Sequence, residues 1–235
     1  MPYRNTHPSV MPIHHTQTLD EQQLVRGSRQ KVRVVRSAYH HVKRYLDLVG
    51  AVLLLPLLLP VMAVCAALIW LEDGRPVLFR QQRTGKGGRR FAMYKFRTMV
   101  VNAEQLKAKY AHLNELSGPD FKIRNDPRVT RIGRILRKTS LDELPQLFNV
   151  LRGQMSFVGP RPTSFAAETY PLTHTERLEV LPGITGLWQI SGRSDVDFDE
   201  RLALDVAYIQ RQSFWLDCSI LFGTVFALFS RRGAY

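Results

Sequence analysis

Asp142 and Glu143 are adjacent carboxylates in the stretch Ser140–Pro162, SLDELPQLFNVLRGQMSFVGPRP, and cations bracket them on both sides. Arg137 and Lys138 come just before, Arg152 and Arg161 follow, and Arg161 stands between Pro160 and Pro162, whose rings fix φ. Neighbouring acids are common on solvated helix faces, where they do no chemistry. Here the guanidinium groups suit phosphate oxygens, and the carboxylates suit either a hard cation or attack on phosphorus. The pattern points to a phosphorylated, metal-bound substrate. Ser140-x-x-Glu143 has capping-box spacing, which puts the pair at a helix N-terminus where the backbone favours anions. Pro145 is better tolerated in a first turn and allows a start at Asp142 instead. Either start leaves the pair at a helix entrance.

The elements that must position this pair are short. Residues 77–83 and 91–99 read as strands around Thr84-Gly85-Lys86-Gly87-Gly88, a hairpin tip that lacks Walker spacing and so is no phosphate loop. Residues 102–116 place Leu106, Tyr110, Leu113 and Leu116 at helical spacing among charges, the pattern of an amphipathic helix. Residues 214–229, FWLDCSILFGTVFALF, hold one charge, Asp217, and read as an apolar helix for either a headgroup boundary or a buried core. No alternating βαβ pattern or dinucleotide fingerprint appears, which excludes a Rossmann-like glycosyltransferase. The expected fold class is α+β, mostly helical with a small β-hairpin.

The chain has 235 residues, 45% of them hydrophobic, enough for one domain with a real core, and its formal charge of +13 calls for anionic partners. Charge alone does not choose among nucleic acid, anionic lipid and phosphorylated substrate. Two cysteines, Cys65 and Cys218, each in an apolar run, make no disulfide framework and read as buried thiols. The histidines, including His14-His15 and His40-His41, lack zinc-ligand spacing. Residues 1–40 carry no apolar period and read as a disordered basic tail.

From Leu48 to Leu71 there is no charged residue, which is membrane length for a helix. Pro56 and Pro60 lie near its middle, and both flanks are basic, with Lys43 and Arg44 before it and Arg75, Arg80 and Arg83 after it. Proline kinks a helix, and the positive-inside rule draws both ends to the cytoplasm. A helix–break–helix over residues 41–72 that enters and leaves by one leaflet satisfies both facts, against the alternative of a kinked helix that spans. Residues 73–235 then form a domain on the cytoplasmic face, with the C-terminal helix at the interface.

Several blocks together are distinctive: Lys43-Arg44-x-x-Asp47, YKFRTM over residues 94–99, NDPRVTRIGRILRKTSLDELPQLFNVLRGQMSFVGPRP over 125–162, PGITGLWQISGR over 182–193 and LDVAYIQ over 204–210. In this order they resemble the bacterial sugar transferase family, monotopic phosphoglycosyl transferases that load a first sugar phosphate onto a polyprenol phosphate carrier. The resemblance implies transfer of a sugar 1-phosphate from a UDP-sugar to undecaprenyl phosphate, with release of UMP and with Mg2+ as cofactor, at the bacterial inner membrane. The block near residues 182–193 and the Arg-Gly-Ala-Tyr ending look more like exopolysaccharide members that use UDP-galactose or UDP-glucose.

Residue by residue, the resemblance implies Asp142 as nucleophile, Glu143 as metal ligand, and Arg161 and Arg137 as phosphate binders. Lys95 and Arg97 are candidates for phosphate or lipid headgroups, and Gln189 and Arg193 for the nucleotide or sugar, on a loop shaped by Gly183, Gly186 and Gly192. Asp205 and Tyr208 belong to a matched block, as donor ligands or as structural support. The membrane kink falls at Pro60; Leu59 stands where the family pattern often has serine, and Pro56 compensates. Two rivals remain. A conventional metal-dependent glycosyltransferase would use Asp195, Asp197 or Asp199 and release UDP. A non-enzymatic membrane adaptor or nucleic-acid binder would need only the charge, but no nucleic-acid motif is present. Oligomeric state is open.

Overall fold

A computed structural model describes residues 37–115, 123, 125–166, 172–191 and 198–229. Residues 1–36 of the expected tail lie outside the described residues, as do Leu116, Gly192, Arg193, Asp195 and Asp197. The described residues form a mostly helical α+β fold with a small antiparallel hairpin.

Helix α1, Ser37–Asp73, has 37 residues with Pro56 and Pro60 inside it, and is about 55 Å long at 1.5 Å per residue. Its helical assignment runs through both prolines. Among the described residues it is the helix long and apolar enough to cross a membrane. One stripe of it faces the core of the domain. Ala51, Leu55, Leu58, Met62, Cys65 and Ile69 recur every three or four residues and pack into the two hydrophobic clusters that also hold Phe91, Met93, Phe96, Leu136, Leu147 and Val150. Leu53, Leu57, Val64 and Leu71 on its other faces are exposed.

The block before the apolar run fastens α1 at its start. Lys43 Nζ lies 2.5 Å from Asp217 Oδ2, Arg44 donates to the carbonyls of Val150 (2.7 Å) and Leu151 (3.2 Å), and Asp47 Oδ1 accepts from the Phe157 amide at 3.1 Å. At the other end Glu72 accepts from the Arg131 and Ile132 amides at 2.8 and 3.0 Å. These are the first N–H groups of the helix over Arg131–Thr139, α3, which have no partner within their own helix.

Strands β1, Leu78–Thr84, and β2, Arg90–Phe96, pair in register from Leu78↔Phe96 to Thr84↔Arg90. The tip turns at Gly87 and Gly88, whose φ of 64° and 76° suits glycine. The strands stop short of the sequence reading at the far end, where Met99 makes only an isolated bridge to Val129. The amphipathic helix expected over residues 102–116 does not form as one element. Among the described residues only α2, Ala103–Leu106, and a 3₁₀ turn, Ala111–Leu113, appear there, with Leu106 and Tyr110 half-buried and Leu113 exposed, so too little apolar surface is covered to hold a longer helix.

Helix α3, Arg131–Thr139, leads into a 3₁₀ helix, Leu141–Gln146, and then α4, Leu147–Leu151. Gly133 lets α3 lie on the 97–98 backbone, since a Cβ there would sit 2.1 Å from the Thr98 carbonyl oxygen. Strands β3, Ser156–Val158, and β4, Gly183–Thr185, pair in parallel. Helices α5, Leu187–Ser191, α6, Phe198–Arg211, and α7, Phe214–Phe229, close the third cluster around Val158, Tyr208, Ile209 and Ile220. The two readings of α7 divide between its faces: Ile220 and Asp217 are buried, while Trp215, Phe222 and Phe226 are each more than 75% exposed.

Asn149 on α4 is fully buried and completes the edge of β2. Its Oδ1 accepts from the Tyr94 amide at 3.0 Å, and its Nδ2 donates to the Ala92 carbonyl at 2.8 Å. Asn149→Ala leaves both backbone groups buried without a partner, so a loss of about 2–4 kcal/mol is expected. In detergent the thermal midpoint should fall by roughly 5–15 °C; an unchanged midpoint would mean that β2 does not depend on this side chain.

Candidate active site

The chain leaves α3 through Ser140 in the left-handed conformation, φ 56° and ψ 17°. That reversal sets Asp142 and Glu143 on the first turn of the 3₁₀ helix, so the pair does stand at a helix entrance. The capping box itself is not made. The Ser140 hydroxyl caps nothing, and the Glu143 amide donates to the Ser140 carbonyl at 3.2 Å while its carboxylate turns away toward β2.

There Lys95 Nζ lies 2.6 Å from Glu143 Oε1 and 3.7 Å from Asp142 Oδ2. Arg161 Nη2 donates to the same Glu143 oxygen at 2.7 Å. Burial works against the Glu143 charge, but Arg161 and Lys95 overcome it and hold this carboxyl far below the usual carboxylate range. Asp142 goes the other way. Burial pushes its carboxyl above the usual range, the Glu143 charge adds to the rise, and Lys95, Arg137 and Arg161 only restrain it. The Glu143 charge in turn raises the Arg161 guanidinium. Neighbours in sequence thus end with opposite tendencies: Glu143 is locked as an anion between two cations, and Asp142 is desolvated, more basic and loosely paired. Opposed environments of this kind separate the roles of two carboxyls.

Both face a cleft of about 630 Å3 whose lining includes the polar Arg83, Lys95, Arg97, Thr98, Arg128, Arg137 and Arg161 and the apolar Leu78, Phe79 and Val101. Arg137, on the last turn of α3, is steadied by Nε donating to Thr98 Oγ1 at 2.9 Å. Burial lowers its pKa, and the Asp142 charge opposes that effect. Arg128 is committed to Asp126, with Nη2 2.6 Å from Oδ2.

The Pro160-Arg161-Pro162 segment is held through its backbone. The Pro160 carbonyl accepts from Gly183 N at 2.9 Å, the Arg161 carbonyl from Arg177 Nη2 at 2.7 Å, and the Pro162 carbonyl from Arg83 Nη1 at 3.2 Å. Gly183 and Gly186 make this possible, since a Cβ on either would come within 2.5 Å of Gly159 backbone atoms. Arg177 is itself fixed by Asp205, Nη2 to Oδ2 at 2.7 Å. Burial pushes the Asp205 carboxyl up to about 7 against the pull of Arg177.

Of the residues singled out in the sequence, the structure brings Asp142, Glu143, Lys95, Arg97, Arg137 and Arg161 to one cleft. Asp205 lines a smaller adjoining cavity of about 220 Å3 together with Arg83, Arg161 and Arg177. Tyr208 lies elsewhere, buried, donating to Asp217 Oδ1 at 2.7 Å and to the Val158 carbonyl at 3.2 Å. Gln189 Nε2 donates to the Ile184 carbonyl at 3.0 Å. Arg97 Nη2 donates to the Asp73 and Gly74 carbonyls at 2.8 and 3.0 Å, holding the end of α1. Arg193 is outside the described residues. Sequence reasoning missed Arg83, Thr98 and Arg177. The strand period could have placed Arg83 on the Lys95 face, because Phe79 pairs with Lys95 and Arg83 with Phe91. Nothing local marked Arg177.

The family model described as "Bacterial sugar transferase" matches residues 38–231. The galactosyl transferase CpsE of Streptococcus agalactiae is 47% identical over 200 residues, 83% of this chain and 44% of the relative. The undecaprenyl-phosphate galactose phosphotransferase of Salmonella typhimurium is 43% identical over 202 residues, 83% of this chain and 42% of the relative. The exopolysaccharide production protein ExoY of Rhizobium meliloti is 39% identical over 211 residues, 88% of this chain and 93% of the relative. This chain therefore spans less than half the length of the first two and nearly all of the third. A match from residue 38 to residue 231 takes in the fastening block of α1, the carboxylate pair and the Pro-Arg-Pro segment alike, and the chain belongs to the bacterial sugar transferase family.

Proposed function

We propose that this chain transfers a hexose 1-phosphate, from UDP-galactose or UDP-glucose, to undecaprenyl phosphate and releases UMP through a covalent intermediate on Asp142. The observation that carries the reading is the split within the dyad: a desolvated, loosely paired Asp142 beside a Glu143 shared by Lys95 and Arg161. The relatives named for galactose, undecaprenyl phosphate and exopolysaccharide production support the donor, the acceptor and the setting.

In the first step an Asp142 carboxylate oxygen attacks the β-phosphorus of the donor. A bond from carboxylate to phosphorus forms, the bond to the bridging oxygen breaks, and that oxygen leaves with the electron pair as part of UMP. In the second step a phosphate oxygen of the lipid attacks the same phosphorus, and Asp142 departs as a carboxylate. Splitting the transfer lets donor and acceptor use one cleft in turn. Arg137, Arg161 and Lys95 orient phosphate oxygens and balance charge where it develops.

The residues fit magnesium. Such an ion is held by one or two carboxylates with substrate phosphates completing its shell, and the pair offers those oxygens in a cleft of about 630 Å3. Glu143 would hold it, and when bound it neutralises the diphosphate. We place the chain on the cytoplasmic leaflet of the bacterial inner membrane, with α1 entering and leaving by that leaflet around Pro56 and Pro60. Basic residues on both sides of the apolar run support this. So does the stripe from Ala51 to Ile69, which packs against the core of the domain.

Single-turnover UMP release from UDP-galactose and UDP-glucose tests the reading. Asp142→Asn should slow it by roughly a thousandfold or more; normal release from that variant would sink the nucleophile, and release of UDP would sink the reaction class. The pH dependence follows from the Asp142 shift. Because burial raises this pKa, the attacking carboxylate is protonated, and turnover lost, as pH falls through a value above the usual aspartate of about 3.9. Lys95 lowers that pKa, so Lys95→Met should move the acid limb to higher pH while Lys95→Arg leaves it near the native position. A limb unmoved by Lys95→Met would detach Asp142 from this titration.

A further inference from the structure

Arg152 follows the carboxylate pair in the sequence but does not line the cleft. Its Cζ lies 5.0 Å from the centroid of the Tyr94 ring, and Arg80 Cζ lies 5.5 Å from the same centroid. Arg80 and Tyr94 are paired across the hairpin, whose side chains alternate between two faces. Gln81, Arg83 and Lys95 line the cleft from one face, and Arg80 and Tyr94 occupy the other. Tyr94 is half-buried and both arginines are exposed. Among the described residues neither guanidinium is paired with a carboxylate. The ring attracts each cation, but two on one ring repel each other, and no acid offsets that here. The stack's place in the fold says which anion suits it. Arg44, just ahead of the apolar run from Leu48, donates to the Val150 and Leu151 carbonyls, and its Nη2 would lie 3.4 Å from a Cβ on Gly153. Arg152 therefore sits beside the start of α1, where Val42 and Tyr45 are exposed. An aromatic ring flanked by cations at the end of an apolar helix has the composition of a headgroup boundary.

We infer that the Arg80–Tyr94–Arg152 stack is a contact surface for anionic phospholipid headgroups, which seats the outer face of the hairpin on the bilayer beside the start of α1, apart from the catalytic cleft. The inference rests on the membrane placement proposed above and not on the covalent chemistry. Phosphodiester oxygens accept from a guanidinium fork, and their negative charge relieves the repulsion between the two cations. The Tyr94 ring orders both arginines in advance, so less side-chain freedom is lost when headgroups arrive than for isolated surface arginines.

The test is an arginine footprint of the full chain in nanodiscs of phosphatidylcholine, alone or mixed with phosphatidylglycerol. p-Hydroxyphenylglyoxal labels accessible arginines, and mass spectrometry reads the rate at each one. Arg80 and Arg152 should react about fivefold more slowly when phosphatidylglycerol is present, and the protection should fade at high salt. Exposed Arg134 and Arg211 should react alike in both bilayers. Tyr94→Leu keeps both charges and removes the ring, so it should cut the protection by about twofold. If the native chain enters the discs and Arg80 and Arg152 react equally fast in both, or Arg134 and Arg211 are protected to the same degree, this surface is overturned and the membrane placement stands. Protection by added tRNA or polyglutamate in phosphatidylcholine discs, with none from phosphatidylglycerol, would assign the stack to a soluble acidic partner and overturn the lipid. If the native chain does not enter the discs, the membrane placement falls and this surface with it.

Discussion

One carboxylate oxygen, Glu143 Oε1, holds the site together by accepting from Lys95 at 2.6 Å and Arg161 at 2.7 Å. The residues come from three stretches of chain that share no local reason to meet: a hairpin strand, a 3₁₀ turn and a proline-bounded loop. Two cations converging on one oxygen repel each other, and the arrangement is favourable only while the carboxylate is charged. Burial alone would neutralise it, and the cations prevent that. Much of the fold serves to keep these three groups in register. Asn149 fixes the strand, Ser140 turns the chain into the 3₁₀ helix, and the backbone of Gly159, Gly183 and Gly186 cradles the loop.

The membrane-length helix belongs to the same framework. Lys43, Arg44 and Asp47 each reach a different element, α7, α4 and β3, so the start of α1 is pinned before the apolar run begins. At its far end Glu72 satisfies the first amides of α3, and Arg97 gathers the last carbonyls. α3 carries Arg137 at its other end, so a shift of α1 would be felt at the dyad through rigid backbone. The seating of the long apolar helix and the alignment of the carboxylates are therefore mechanically one problem.

The carboxylate pair, its cations and its helix entrance were legible from residue types and spacing, because adjacent charges of both signs constrain what a stretch can do. So were the hairpin, the long apolar helix and the mostly helical class. Residues 102–116 misled because period alone does not say how much of a stripe a partner surface covers: Leu106 and Tyr110 are only half-buried and Leu113 is exposed. Ser140-x-x-Glu143 misled because the glutamate had better partners than a backbone amide. Tyr208 sat in a block that looked functional, yet it braces Asp217 beneath the start of α1. Arg177 was invisible for a deeper reason: it acts on the site through the carbonyl of Arg161, and backbone contacts carry no signature in residue type.

The shared oxygen also bears on how the site would receive the diphosphate of the proposed donor. Free arginine and lysine side chains would have to be ordered when a substrate arrives, at a cost of up to about 2 kcal/mol each. Here Lys95 and Arg161 are already ordered by Glu143, so an incoming phosphate oxygen competes for oriented donors and need not organise mobile ones. Each cation drawn toward phosphate frees part of the Glu143 carboxylate, which is then an anionic oxygen beside the newly arrived charge. In the proposed reaction a hard cation complements that exchange. Lys95 touches both acids, so its movement toward phosphate also removes restraint on Asp142 and leaves that carboxylate more basic when phosphorus is in reach. In the proposed reaction, the contacts that stabilise the site thus release Asp142 as the donor displaces them.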